Sequence, residues 1–343
     1  MRWFARPGRG RRVALLVLLA LVLAPGTWLR TDVRPRSLAD VTIARISLPP
    51  AEPIVGFTRE GLWRLEGTNQ SFGGFSAIAA FPDRLRLFSD RGWFLTMGKP
   101  GAHDIAPEAG LLFPSGFRFE DLLDIESVTS DRETGQFWIG YERLNILYRY
   151  SSTEAPESWV HPRFTRHWGE NSGMEAIVRL ADGGFIVLHE TESDGWLYPS
   201  DPTEGAEPMG FHAAYPDGYH PVDVAQLPDG RVLILMRRLA VDLPPFSCLI
   251  AIADPAQIDS EEDWQVTSLA RVEDLLPRDN YEGLAIEPRE DGSVTLWLVS
   301  DDNQSSLQNW LLAKLRWDPP AAQTEKGARN EPDAPQIPSE QEN

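Results

Sequence analysis

Five segments of this chain are variations on one pattern, and that repetition restricts the possible folds more than any other feature. Each segment begins with a carboxylate or small polar residue at the head of a short apolar run, followed by a polar turn and a second β-rich run. The head residues, at intervals of 50, 49, 48 and 59, are Ser76, Glu126, Glu175, Asp223 and Glu282. A strand–turn–strand unit of this period predicts the blades of a β-propeller, because one blade cannot bury its own two faces.

Two consecutive strands are predicted within each repeat from its β-branched, aromatic and aliphatic residues. The first strands are expected at 75–80, 126–130, 175–180, 222–227 and 283–287, and the second strands at 84–89, 136–141, 184–189, 231–236 and 294–300. Third strands are expected at 146–150, 248–253 and 310–317, and a fourth strand at 264–270. Asp-Gly turns such as Asp229-Gly230 join several of the first and second strands, as in β-hairpins.

The two ends of the repeat region complement each other. The last repeat ends after its third strand, near Trp317, whereas residues 61–67 form a strand without a blade of its own. Pairing the two would close the ring and remove its open edges. We therefore predict an all-β fold over residues 41–318: a single β-propeller of five or six four-stranded blades, with the ring closed by an N-terminal strand. A sixth blade would use the strand at 41–48, and the polar residues 319–343 are predicted to form a disordered tail.

Residues 1–30 have the composition of an export signal. They hold six arginines and no acidic residue, and the apolar run from Val13 to Ala24 is twelve residues long, which is short for a membrane span. The sequence therefore predicts export to the periplasm. Ala24 is small enough for a cleavage site, but Pro25 would hinder cleavage there. Release and retention by an uncleaved N-terminal membrane anchor at the inner membrane therefore both stay open.

The remainder of the chain is strongly acidic. Beyond residue 30 it holds 26 basic and 51 acidic residues, a net charge of −25. Such a charge repels nucleic acid and favours cations, or anionic substrates that are reached through a bound cation. We therefore expect no nucleic-acid partner. The single cysteine, Cys248, lies in an apolar run and can form no internal disulfide.

Propeller geometry predicts that the repeats bring their acidic residues together. The innermost strands of such a ring line a central channel, so the head residues converge although they lie far apart in the sequence. Four of the five head residues are carboxylates. The ends of the second strands predict a second ring, made of Asp90-Arg91, Glu142-Arg143, His189-Glu190, Arg237-Arg238 and Asp301-Asp302-Asn303.

Carboxylates this crowded would repel one another and have raised pKa values unless positive charge neutralises them. The arginines of the second ring could do so in a structural network that needs no ligand. Alternatively, a hard divalent cation could bind among the oxygen atoms, and Ca²⁺ fits best because it accepts about six to eight oxygen ligands in loose geometry. The sequence has no cysteine cluster or paired histidines that would favour zinc.

Several short phrases also resemble one protein family. FGGFSAI with FSDRG, DIESV with YE, GMEAI with HE, and NYEGLAI with LVSDDN are similar, in this order, to the family named esterase-like activity of phytase, which is found in exported bacterial proteins. The resemblance covers residues 56–317. It implies a hydrolase of phosphate or carboxylic esters, in which calcium ions in an acidic channel bind a small anionic ester and activate water. The matching positions are Asp90, Glu126, Glu142, Glu175, Glu190, Glu282, Asp301 and Asp302, with Arg91 beside the first.

The resulting hypothesis gives these residues separate roles. Metal ligation is assigned to Glu126, Glu175, Asp223, Glu282, Asp90, Asp301 and Asp302. Glu142 or Glu190 would act as the general base. Arg91 or Arg237 would stabilise the charge that develops on the phosphoryl or acyl oxygen.

The fourth repeat departs from the family pattern. Asp223 stands in place of glutamate, and Arg237-Arg238 stands where other repeats end in acid, which supplies positive charge for a phosphate group. His189 and His220 are interpreted as hydrogen-bonding residues of the channel.

Two other functions stay open at this stage. One is a lactonase-type propeller enzyme with a single metal ion, and the other is a non-catalytic binding or scaffold propeller, since one fold hosts many functions. The sequence contains no Gly-x-Ser-x-Gly elbow, His-Glu-x-x-His helix or phosphate-binding loop. Their absence argues against a serine hydrolase, a zincin and nucleotide-dependent chemistry.

Overall fold

The strands of this protein form five sheets within the described residues. The computed structural model describes residues 41–48, 50–67, 72–102, 105–112, 124–168, 173–189, 192–216, 218–303 and 308–320, together with Val17. The first ten strands are β1 (Val41–Arg45), β2 (Phe57–Gly67), β3 (Phe75–Ala80), β4 (Arg84–Ser89), β5 (Trp93–Gly98), β6 (Glu108–Leu111), β7 (Ile125–Ser130), β8 (Phe137–Tyr141), β9 (Ile146–Tyr150) and β10 (Pro156–Val160).

The later strands follow the same alternation of strand and turn. They are β11 (Met174–Arg179), β12 (Phe185–His189), β13 (Asp194–Tyr198), β14 (Met209–Ala214), β15 (His220–Gln226), β16 (Val232–Leu239), β17 (Phe246–Ala253), β18 (Trp264–Gln265), β19 (Thr267–Arg271), β20 (Asn280–Pro288), β21 (Val294–Asp301) and β22 (Leu311–Trp317). Short 3-10 helices lie at Arg163–His167, Pro202–Glu204, Pro255–Gln257 and Val272–Asp274. Within the described residues, no helix has the length and apolar character needed to cross a bilayer.

Each sheet is one blade of a ring. Blade 1 is β3–β4–β5–β6, blade 2 is β7–β8–β9–β10, blade 3 is β11–β12–β13–β14 with β18, blade 4 is β15–β16–β17–β19, and blade 5 is β20–β21–β22–β2–β1. The first strands β3, β7, β11, β15 and β20 each contact the first strands of both neighbouring blades. The predicted all-β propeller is therefore confirmed, with five blades.

The N-terminal strands close the ring as the sequence predicts. β2 pairs antiparallel with β22, with Phe57 opposite Trp317, and β1 pairs with the other edge of β2. β1 is thus the fifth strand of blade 5, so it does not begin a sixth blade. The segments on either side, 1–30 apart from Val17 and 321–343, lie outside the described residues, so the signal or anchor and the disordered tail remain predictions.

One predicted strand divides between two blades. The run at 264–270 was expected to be a single fourth strand. Instead, Trp264 and Gln265 pair in parallel with β14 of blade 3, whereas β19 pairs antiparallel with β17 of blade 4. The indole of Trp264 is fully buried beside Phe211, so its burial anchors this crossover between blades.

Apolar side chains fill the boundary between every pair of adjacent blades. Between blades 4 and 5, for example, Leu235 and Ile250 pack in one cluster with Leu296 and Trp317. Corresponding clusters lie at the other four boundaries. Each fully buried side chain of this size contributes roughly 1.5–3 kcal/mol of transfer free energy. The blades therefore stabilise one another, as the fifty-residue period implies.

A β-bulge interrupts the first strand of every blade near its start. The pairing register shifts around Ser76, Glu126, Glu175, Val222 and Glu282, which have no partner in the ladder. A bulge leaves one extra residue unpaired and changes the direction of its side chain. Four of the five predicted head residues thus occupy equivalent positions. In blade 4 the equivalent residue is Val222, so the sequence register that placed Asp223 there was wrong by one residue.

Polar side chains near the bulges connect neighbouring first strands. Ser76 Oγ donates to Ile125 O at 2.5 Å, and Ser127 Oγ donates to Met174 O at 2.6 Å. Asp223 accepts the backbone N–H of Leu284 in blade 5 at 2.6 Å. These bonds fix the blades around the channel, so Ser76 and Asp223 have structural roles that their sequence pattern did not indicate.

Candidate functional site

The beginnings of the first strands and the ends of the second strands form one face of the ring, which we call the acidic face. Antiparallel pairing places them at the same level: Asn280 lies opposite Asp301, and Ile125 lies opposite Tyr141, the residue before Glu142. The two rings predicted from the sequence are therefore neighbours in space. Glu190 of the second ring lies outside the described residues, and its role stays a prediction.

Three carboxylates in blade 2 form the tightest group. One carboxylate oxygen from each of Asp124, Glu126 and Glu142 lies within 4.8 Å of the others, a spacing that could hold a metal ion. Asp124 has a positive φ of 75°. Its backbone N–H donates to Asp90 O at 2.5 Å, and its carbonyl accepts the N–H of Glu142 at 3.0 Å. The unusual backbone conformation thus connects the first and second strands where the carboxylates converge.

Asp124 is the functional candidate that the sequence reasoning missed. It opens the phrase DIESV, two residues before Glu126, but only the structure shows that its carboxylate joins that of Glu126. The signal available in the sequence was the Asp-x-Glu pair itself. The bulge at Glu126 interrupts the alternation of side chains between the two faces of the sheet. Strand periodicity therefore could not show that the side chains of Asp124 and Glu126 lie together.

Two glycines leave room for the carboxylates. A Cβ added to Gly74 would lie 1.8 Å from Asp90 Oδ1, and one added to Gly173 would lie 2.4 Å from Glu142 Cγ. Gly74 also has a φ of +65°, which disfavours other residues. The glycines that precede two of the bulges are therefore required by the close approach of acidic side chains.

Burial and mutual repulsion raise several pKa values in this group. The pKa of Glu126 lies well above its usual value, first because of desolvation and then because of the charges of Glu175, Glu282, Glu142 and Asp124. These interactions join carboxylates from blades 2, 3 and 5. The acids that the sequence separates by about fifty residues therefore interact around one axis, as the ring model of the channel predicts.

The second ring has the same character. Burial, together with the charges of Glu282, Asp90 and Asp302, raises the pKa of Asp301 to about 9. Burial also raises the pKa of Asp90 to about 7, with Arg91 acting in the opposite direction. Without a cation, these groups hold protons at a pH at which exposed aspartates are fully ionised.

Two buried carboxylate oxygens lack a hydrogen-bond partner. Asp301 and Asp302 are only 6% and 7% exposed, and the Oδ1 atom of each accepts no hydrogen bond from the described residues, although Asp302 Oδ1 lies 3.6 Å from Arg91 Nη2. An unsatisfied buried acceptor costs roughly 1–3 kcal/mol, and more when it is charged. Such atoms are suited to a ligand that supplies positive charge.

Arginines neutralise part of this charge. Arg91 lies 3.6 Å from both Asp90 and Asp302, which is longer than a direct hydrogen bond. Arg237 is in direct contact with Glu282 and donates to Asn280 Oδ1 at 2.8 Å. Burial raises the pKa of Asp124, and Arg143 acts on it in the opposite direction. The described acidic side chains of the two rings outnumber Arg91, Arg143, Arg237 and Arg238, so the arginines alone do not balance the charge when all of these acids are ionised.

Blade 4 provides the neutral and basic sector of the ring. Its bulge residue is the buried Val222, and His220 lies opposite Arg237 where blade 5 has Asn280 opposite Asp301. The carboxylate of Asp223 accepts backbone N–H groups from Val224 and Leu284, and burial raises its pKa. The structure therefore brings together the other predicted ligands and places Asp223 in the blade 4–blade 5 contact.

His189 is a buried hydrogen-bonding residue. Its Nδ1 accepts the N–H of Glu192 at 3.1 Å, and its ring contacts Trp168 with 4.4 Å between centroids. Burial lowers its pKa. These contacts show a hydrogen-bonding role for His189, as interpreted from the sequence, whereas its place in the channel stays a prediction.

The opposite end of the channel contains a cavity of about 350 Å³. The ends of the first strands line it, together with Arg132, Arg179 and Asp131. Arg179 pairs with Asp131 at 3.3 Å, and Arg132 donates to Ile286 O at 3.3 Å. This cavity lies away from the acidic face, and its Asp131, Arg132 and Arg179 side chains have partners.

A five-bladed ring with a crowded carboxylate group on one face defines the class of protein: a β-propeller with an acidic channel mouth. The comparison with protein families makes this specific. The chain belongs to the phytase-like family described as esterase-like activity of phytase, whose pattern matches residues 70–304. The family resemblance seen in the repeated phrases is thus confirmed.

Solved structures with similar folds have low sequence identity to this chain. Glutaminyl cyclase from Myxococcus xanthus is 12% identical, with a TM-score of 0.47 over 77% of this chain and 97% of that chain. A luciferin-regenerating enzyme is 14% identical, with a TM-score of 0.42 over 70% of this chain and 77% of that chain. No curated protein sequence matches the chain.

Proposed function

We propose that this protein is an exported hydrolase of small anionic phosphate or carboxylic esters that binds a divalent cation, best matched by Ca²⁺, at the acidic face. The observation that carries the proposal is the buried Oδ1 atom of Asp301, which accepts no hydrogen bond from the described residues, beside the Oδ1 atom of Asp302, which has only a 3.6 Å ion pair with Arg91 among them. They lie in a group of carboxylates in which burial, and after it mutual repulsion, raises the pKa of Glu126 and of Asp301. Family membership supports the ester chemistry.

The donor atoms fit a hard cation. Asp124, Glu126 and Glu142 would provide one set of oxygen ligands, and Glu175, Glu282, Asp90, Asp301 and Asp302 lie within electrostatic range of that set or of one another. Carboxylate oxygens are the ligands that Ca²⁺ accepts in variable number and geometry, whereas zinc prefers nitrogen and sulfur. When bound, the cation would supply Lewis-acid activation of water and screening of an anionic ester.

The protein's own residues would position the substrate. Arg237 and Arg91 are the positive groups beside the carboxylates, and a guanidinium group can bind a phosphate or carboxylate through paired hydrogen bonds. The structure groups Glu142 with the candidate ligands. In the proposal Glu142 therefore binds the cation, and Glu190 is the remaining candidate for the general base.

The proposal also keeps the predicted location outside the cytoplasm. The arginine-rich N-terminal segment with its apolar run supports export to the periplasm. Its cleavage or retention decides whether the propeller is released or tethered to the inner membrane. Fractionation of cells that express the full chain, followed by N-terminal sequencing, distinguishes these outcomes.

The proposal is tested by thermal unfolding and ester hydrolysis on the same samples. Calcium should raise the melting temperature relative to a chelator, and 4-nitrophenyl phosphate or 4-nitrophenyl acetate should be hydrolysed only with the cation present. Glu126→Gln should abolish both effects because it removes a charged carboxylate from the half-buried centre of the candidate ligand group. Asp83→Asn, in the β3–β4 turn at the opposite end of blade 1, is the matched control and should change neither.

The possible outcomes separate the competing functions. A calcium-dependent melting shift without turnover of either ester would support a non-catalytic binding propeller. No shift and no turnover would support the arginine network and contradict the proposal. Hydrolysis of a lactone in place of both nitrophenyl esters would support the lactonase-type alternative.

A further inference from the structure

The hairpin between β16 and β17 exposes three aliphatic side chains. Leu239, Val241 and Leu243 are 79%, 106% and 85% exposed. Other exposed large apolar residues in the described part of the chain, such as Val55 and Trp159, lie in separate elements. Single exposed apolar residues are normal on a soluble protein, but a contiguous patch indicates an interaction surface. We call residues 239–243 the apolar tip.

The apolar tip is held in a defined conformation. The N–H of Ala240 donates to Pro245 O at 2.9 Å and closes the hairpin. From the neighbouring segment, Arg278 donates to Phe246 O at 2.6 Å and lies 3.4 Å from Asp242. These bonds hold the hairpin in a conformation in which the three aliphatic side chains stay exposed to water. Each side chain therefore lacks the roughly 1.5–3 kcal/mol of transfer free energy that full burial would provide. The conformation is therefore suited to an apolar partner that covers the tip.

Strand direction places the apolar tip on the acidic face. β15 begins at this face with His220, and the antiparallel β16 returns to it. Leu239 follows two residues after Arg237, whose guanidinium contacts Glu282 of the candidate site. The hairpin thus extends outward from the carboxylate group.

The chain also enters the propeller at this face. β1 begins opposite the end of β2, with Val41 paired to Gly67, and the antiparallel series from β20 to β2 places that end at the acidic face. Blade 5, which contains β1, is next to blade 4 with its apolar tip. The part of the chain that precedes Val41 is therefore attached at the acidic face, from which the apolar tip also projects.

The sequence before Val41 contains the apolar run from Val13 to Ala24. The segment between this run and Val41 covers residues 25–40, which can span at most about 58 Å when extended. If the run is embedded in a bilayer, this segment tethers the propeller to that bilayer at the acidic face. The exposed Arg238 beside the tip can contact lipid phosphate groups.

We propose that the apolar tip inserts into the interface of a lipid bilayer and turns the acidic face toward the membrane. The net charge of −25 beyond residue 30 favours a zwitterionic surface over an anionic one. The docking does not depend on hydrolase activity or on calcium. It concerns only the orientation of the ring at the membrane.

The experiment compares two labelled positions on the full-length chain in phosphatidylcholine vesicles. The only native cysteine, Cys248, is buried, so a fluorophore can be attached selectively to Val241→Cys. Asp229→Cys is the matched control, because it lies in the exposed turn at the other end of the same blade. Lipids brominated in their acyl chains should quench the Val241 label several-fold more strongly than the Asp229 label.

Other results would contradict insertion of the apolar tip into the bilayer. Equal quenching at both positions, or quenching at neither, would overturn the proposal. Lipid-independent energy transfer between Val241 labels on different molecules would show instead that a second copy of the chain covers the apolar tip. Adding Leu243→Glu to the labelled Val241→Cys protein should reduce quenching at position 241 if the tip is embedded.

Discussion

Asp90→Asn should stabilise the protein in the presence of a chelator at neutral pH. Desolvation, together with the charges of Glu282 and Asp124, raises the pKa of Asp90 from 3.8 to about 7. The folded state therefore retains a proton that the unfolded chain has already lost, and the stability contributed by this group falls as the pH rises from about 4 to about 7. The neutral amide introduced by Asp90→Asn does not titrate, so this fall in stability with rising pH is removed.

The magnitude follows from the size of the pKa shift. Each unit corresponds to about 1.4 kcal/mol, so the full shift would be worth roughly 4 kcal/mol at pH 7. Partial solvent exposure of Asp90 reduces this figure, and we expect about 2 kcal/mol. For a propeller of this size that corresponds to a rise in melting temperature of roughly 3–4 °C.

The assay is thermal unfolding of wild type and Asp90→Asn at pH 4.5 and pH 7, with chelator and with calcium. In chelator the variant should gain stability at pH 7 and little at pH 4.5. In calcium the order should reverse, because the amide is a weaker ligand than a carboxylate. Destabilisation of Asp90→Asn at pH 7 in chelator would refute the reasoning and indicate that Arg91 already neutralises this group.

Three further predictions test separate parts of the account. Asp223→Asn should cost about 1–3 kcal/mol of unfolding free energy, because the bond to Leu284 N is weakened, and calcium affinity by titration calorimetry should stay unchanged. Gly74→Ala should reduce the calcium-induced melting shift, since its Cβ would displace the Asp90 carboxylate; an unchanged shift would argue against Asp90 as a ligand. Arg237→Gln should raise KM for 4-nitrophenyl phosphate about tenfold, whereas an equal rise in KM for 4-nitrophenyl acetate would contradict its role in anion binding.

The sequence predicts the architecture well because the blade is a local unit repeated five times. The first and second strands lie close to the predicted ranges, and the pairing of β2 with β22 follows from the unpaired strands at the two ends. The crossover at Trp264 was not predictable in the same way. It depends on contact with a neighbouring blade, which local propensity does not report.

The candidate site is less predictable because the bulges alter the register. The sequence alignment matched Asp223 to the glutamates, but the bulge residue of blade 4 is Val222. A one-residue displacement changes the direction of a side chain in a strand. Asp124 escaped notice for the related reason that its left-handed backbone conformation brings its carboxylate to Glu126 outside the alternation of a regular strand.

The most direct test of the account is a crystal structure determined in calcium at neutral pH. We predict anomalous density for a cation among the carboxylates of Asp124, Glu126 and Glu142, with metal–oxygen distances of about 2.3–2.6 Å. If calcium is absent there at saturating concentration and the acidic side chains contact only arginines, the central claim of a cation-binding acidic face is contradicted.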